Sequence, residues 1–149
     1  QNFGAKKKDR INKILFAGQV YVVATGLILG SLAVFFGKEL LGIYSTSPEV
    51  IAAGMVRLQY ICKVYFLCGI MDVFVGALRG IGYSIMPMFV SLLGACGLRL
   101  LWLATVFQIP QYHTQDIIYL SYPITWVITF TVHALCYIWA RKQVDKKLV

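Results

Sequence analysis

The sequence predicts an all-α integral membrane protein, a bundle of four spanning helices. Three observations carry that prediction. Hydrophobic residues make up 59% of the chain and charged residues only 13%, with a mean hydropathy of +0.73. A soluble domain of this size carries about a quarter charged residues, and so large an apolar excess is more than one small core can bury. Four windows are long and apolar enough to cross a bilayer, which takes about 20 residues each. The basic residues, finally, gather on alternate connections between those windows.

The first span covers residues 14–36, "ILFAGQVYVVATGLILGSLAVFF", and holds no charge. The second covers 48–78, and its start has a chemical cause. In "STSPEV", Ser47 is placed as N-cap, Pro48 at the first helical position and Glu49 in the first turn beside the positive end of the dipole. The glycines of "RGIGYS" supply a tight turn before the third span, 84–107. A polar loop, "QIPQYHTQD", leads to the fourth, 117–139. Pro87 and Pro123 are placed near helix starts, where a missing donor matters less, or at kinks that neighbouring helices tolerate.

The positive-inside rule sets the direction. Lys6, Lys7, Lys8, Arg10 and Lys13 precede the first span, Arg79 follows the second, and Arg141, Lys142, Lys146 and Lys147 follow the fourth. The opposite connections hold Lys38 against Glu39, Glu49 and Asp116. Ten bases against one place both ends of the chain in the cytoplasm. The same distribution explains the net charge of +8 without nucleic acid, because no basic stripe with interleaved aromatics lies on a soluble face. The chain opens on Gln1 with no cleavable leader pattern, and the expectation is a piece of a longer protein.

Arg57, Lys63, Asp72 and Arg99 remain inside the spans, where a charge facing hydrocarbon is costly. Arg57 lies about 13 Å below Pro48 and Arg99 about 12 Å below Phe107. Both are within snorkelling reach of the interface, and both are equally candidates for a functional role. Lys63, about 22 Å below Pro48, is too deep for that and should meet water or a partner. Asp72 is too short to snorkel. It shares a narrow stripe with Cys68, Gly69 and Gly76, and Gly76 and Gly80 form a Gly-x-x-x-Gly pair that permits close helix approach. Such a stripe should face other helices or a cavity, which makes a proton or cation site the leading reading of Asp72. A structural ion pair with another span, or a permanently protonated acid, is the alternative. Tyr65, seven residues before Asp72, lines the same side or is simply packed.

Cys62, Cys68, Cys96 and Cys136 all fall in apolar runs with no Cys-x-x-Cys pair or zinc spacing, so inert buried thiols are expected and no metal. His133 is read as a core histidine. No nucleophile–base pair, metal set or phosphate loop appears, so no enzyme is expected.

Four stretches in order, "QNFGAKKKDRINK" at 1–13, "LLGIYSTSPEVIAAG" at 40–54, "GALRGIGYSIMPM" at 76–88 and "GLRLLW" at 97–102, resemble the multidrug and toxic compound extrusion (MATE) family of transporters. The resemblance covers nearly the whole chain. It implies helices nine to twelve of a twelve-helix protein, so that residues 1–149 form part of the C-terminal six-helix lobe. It further implies efflux of small amphipathic compounds across the inner, cytoplasmic membrane by antiport. Sodium or a proton is then the coupling ion, no other cofactor is involved, and the partners are membrane lipid and the remaining helices of the same polypeptide. By resemblance the family's coupling acid falls where this chain has Cys68, with Asp72 one turn further along the same stripe. Gly69, Gly76 and Gly80 would let that helix bend or slide, and Lys63, Tyr65, Arg57 and Arg99 are the cavity or substrate candidates. The basic interior departs from the family pattern and leaves the substrate's charge open. It would suit the phosphate of a second reading, export of lipid-linked sugars or polysaccharide precursors. A third, separate reading is a self-contained, non-transporting four-helix membrane subunit.

Overall fold

The computed structural model describes residues 1–147 as helices joined by short turns; the Lys147 side chain, part of the basic tail, lies outside the description. The first span is α1 (Lys8–Phe35), followed by the short α2 (Gly37–Gly42). The second is α3 (Pro48–Ile61), a 3-10 turn at Cys62–Val64 and α4 (Phe66–Gly80). The third is α5 (Ile85–Ser91), a π turn at Leu92–Gly97 and α6 (Leu98–Ala104). The fourth is α7 (Gln115–Lys147). Among the described residues there is no strand.

Three helices are long and apolar enough to cross a membrane, and a fourth span is completed when the bent α3–α4 pair counts as one. The 28 residues of α1 measure about 42 Å, more than the bilayer's hydrocarbon thickness. Outward faces stay apolar, with Phe16, Tyr21, Leu93, Leu100 and Leu135 all exposed. The protein is therefore a multi-pass membrane protein.

Two sequence expectations are corrected, at Ser47 and Pro123, and two spans gain detail. The second, over 48–78, bends by 44° between Val64 and Phe66. No proline or glycine stands at the break; it lies where α1 comes closest. A Cβ on Gly26 would sit 2.8 Å from Phe66 Cβ, and one on Gly30 would overlap the Cys62 carbonyl oxygen. Ser47 occupies the N-cap with extended backbone, but its side chain makes no capping bond. Pro123 lies more than two turns inside α7, not at its start; the helix continues past it, as packed membrane helices allow. Finally, α7 runs on past residue 139, because its last turns are tied back to α1.

That tie is polar. The Tyr137 hydroxyl donates to Asn12 Oδ1 at 2.9 Å, Arg141 donates to Asn12 Oδ1 and to the Lys8 carbonyl, and Arg141 pairs with Asp145. Beneath it Ile11, Leu78, Ile81, Tyr137, Ala140 and Val144 form the buried core. α4 thus lies between α1 and α7, and α5 and α6 also pack on α7, with α5 touching α4. Between α4 and α5 the chain turns at Gly82, whose φ of +95° favours glycine.

Candidate functional site

Asp72 sits on the second turn of α4 beyond the bend, with its side chain on the exposed flank of the helix. The buried flank is Met71, Val75 and Leu78, so the helix presents its acid away from α7. Among the described residues the carboxylate has no ion-pair or hydrogen-bond partner. Arg79, two turns on and itself exposed, is the charge that bears on it. Cys68, half-buried one turn earlier, lies within electrostatic reach of Asp72 on its own helix and of Arg99 on α6.

The glycines of α4 divide into two kinds. Gly69 is a packing residue, because a Cβ there would strike the Val22 side chain of α1. Gly76 and Gly80 have nothing within 4 Å of an added Cβ. The predicted close approach at Gly76 and Gly80 is thus not made among the described residues. It occurs instead at Gly26 and Gly30 of α1, a second Gly-x-x-x-Gly pair that was visible in "ATGLILGS". Gly76 and Gly80 line a cavity of about 260 Å³ together with Gln1, Asn2 and Val73.

A second cavity, about 370 Å³ and almost wholly apolar, opens at the bend between α1 and α4. Tyr65, Phe66, Cys62 and Gly69 line it from the second span and Gly26 and Gly30 from the first. Tyr65 is half exposed and meets Trp126 edge-on at 5.7 Å. Asp72 lies on the turn between the two cavities, with Gly69 lining one and Val73 the other.

The three interior bases separate. Arg57 and Lys63 are exposed. Arg99 is held inward: its guanidinium carbon stands 3.8 Å above the Tyr122 ring and it donates to Thr125 Oγ1 at 3.5 Å. Its Nε is buried and has no partner among the described residues.

One feature escaped the sequence reading. Ser121, Thr125, Thr129, His133, Tyr137 and Arg141 recur every fourth residue of α7, and all six are buried. The spacing itself was the available signal, since i and i+4 share one helix face.

Residues 1–105, from the first turn through α6, match the family model MatE. No curated protein and no solved structure matches the chain.

Proposed function

The chain belongs to the MATE family of membrane transporters, and on that premise we propose that it takes part in cation-coupled export of small amphipathic compounds. The unpaired Asp72 carboxylate, on a helix flank between two cavities, is the observation that carries this reading. A carboxylate kept in a membrane segment without a structural partner marks an ion or proton path. Sodium or a proton binds there and neutralises the acid, with Cys68 beside it. The bend at Cys62–Val64 favours a second span that changes packing when the site fills, as broken helices do in transporters. Gly76 and Gly80, open on their outer side, leave room for that movement. An apolar cavity edged by Tyr65 suits the non-polar body of an amphipathic substrate.

Basic residues concentrated at the end where α1 meets α7 support a cytoplasmic location for both ends of the chain in the inner membrane. The four spans fit the last part of a C-terminal lobe, completed by other helices of the polypeptide.

The test is dye efflux by the intact transporter in vesicles, driven in turn by a sodium and a proton gradient. Asp72→Asn should abolish the response to one gradient while the protein remains in the membrane. Unchanged coupling would remove Asp72 from the mechanism.

A second reading, export of a lipid-linked sugar phosphate, is favoured by exposed Arg57 and Lys63 and by the unpartnered Arg99 Nε, which suit an anionic group. Competition of dye efflux by an anionic lipid, lost when Arg57 and Lys63 are neutralised, would support it.

A further inference from the structure

A stripe of buried polar residues winds along α7 from one end of the bundle to the other, turning by about 40° at each step of four. From Ser121 to Arg141 it covers about 30 Å, the thickness of the hydrocarbon layer. Five of its six members have a structural explanation. Ser121, Thr125 and Thr129 donate to carbonyls of their own helix, at Ile118, Tyr122 and Thr125. Tyr137 and Arg141 hold α1.

His133 is different. It is completely buried at mid-helix, its Nε2 is 3.0 Å from Ser91 Oγ of α5, and its Nδ1 is buried with no partner among the described residues. Either tautomer of the neutral ring leaves Nδ1 unpaired, and a doubly protonated ring would carry a donor there with no acceptor in reach. Among the described residues no neighbouring charge compensates. The buried flank of α4 is Met71, Val75 and Leu78, with half-buried Cys68 a turn further out, α5 has no ionisable side chain, and the π turn contributes only exposed Cys96. Arg99 of α6 bonds to Thr125, two rungs away, while Arg57 and Tyr60 of α3 and Lys63 of the 3-10 turn lie towards the outer end. On α7 the ionisable neighbours are Cys136 and Tyr137.

Ser91 is also the residue on which the π turn begins, and one rung outward a Cβ on Gly94 would collide with Thr129. The partner of His133 therefore stands at an irregular segment that is closely seated on α7, of the kind that recurs at functional sites. The contacts Tyr65–Trp126 and Phe74–Tyr137 run α4 and α7 in parallel and set His133 at the level of Met71. Asp72, next along, faces the other way. The two ionisable groups share a depth without sharing a pocket.

We infer that His133 is a second proton-binding site, which takes its proton at Nδ1 when α5 and the π turn separate from α7 and releases it when they close on Ser91. The inference rests on the transport reading and adds a site to it. One N–H bond forms and breaks, and no other chemistry is involved.

The intact transporter in vesicles tests this with two readouts. The first is exchange of the imidazole C2 hydrogen, followed by mass spectrometry, with exposed His113 as internal reference. His133 should exchange several-fold more slowly than His113 at rest and faster under a proton gradient; exchange unaffected by the gradient overturns the inference. The second is the pH profile of dye efflux between about pH 5 and 8, where an imidazole titrates. His133→Gln keeps an amide for Ser91 without a titrating group and should flatten the profile at unchanged membrane abundance; a wild-type profile overturns the inference. If that variant does not fold, Ser91→Ala replaces it, and the profile must shift its midpoint or the inference fails. If Asp72→Asn abolishes coupling while His133→Gln leaves the profile intact, the inference fails and the transport reading stands. If the unaltered protein moves no dye, the transport reading fails, and gradient-dependent exchange of His133 still decides the inference.

Discussion

Gly30 of α1 lies directly against the backbone carbonyl of Cys62, at the turn where the second span bends. The two helices meet there through backbone rather than side chains. In a bilayer, where lipid is as apolar as leucine, such close approach is what drives helices together.

Gly30→Ala should therefore be destabilising, by about 1–3 kcal/mol as for an overpacked core. Thermal melting of the purified protein in detergent measures it. A melting temperature equal to wild type would mean that α1 does not seat on the bend.

Gly76→Ala should behave oppositely. Nothing lies within 4 Å of its Cβ, so the gain in helix propensity, about 1 kcal/mol, is not offset among the described residues. Melting alongside Gly30→Ala makes the comparison. Equal losses in both variants would show that another helix packs closely on the Gly76 face.

Arg99 and Tyr122 should be energetically coupled. A partly desolvated cation over an aromatic ring contributes about 1–2 kcal/mol, and a double-mutant cycle of Arg99→Met with Tyr122→Leu isolates it. Additive losses would mean that the guanidinium faces water.

Tyr137→Phe removes one of the bonds to Asn12 and should cost about 1 kcal/mol, because Arg141 continues to donate to the same oxygen. Hydrogen exchange of residues 8–15 should rise in this variant and more so in Asn12→Leu. Unaltered protection in both would separate α1 from α7.

The spans were legible because hydropathy accumulates over about 20 residues and no single position decides it. The glycine turn at Gly82 and the start at Pro48 were legible for the opposite reason, each being a local backbone constraint. The bend at Cys62–Val64 was not, since it carries no proline or glycine and the residues closest to it, Gly26 and Gly30, lie some 30 to 40 residues earlier on another helix. The same distance hid the role of Gly69, which answers to Val22. Asp72 stood out as a lone intramembrane acid, but its face was set only once Met71, Val75 and Leu78 took the buried side. In the sequence His133 is an isolated core residue, because Ser91, its partner, is 42 positions away. The four-residue recurrence on α7 was present in the sequence, obscured by the apolar residues around it.

The central claim is that water reaches Asp72 and that its accessibility changes during transport. The most direct measurement keeps Asp72, replaces Cys62, Cys96 and Cys136 with alanine and Cys68 with serine, introduces Val73→Cys beside the acid on the cavity wall, and follows reaction with a membrane-impermeant maleimide applied from each side of the vesicles. The account predicts labelling whose extent shifts between the two sides when substrate is added. A thiol at this position that stays unreactive from both sides, with and without substrate, would contradict it.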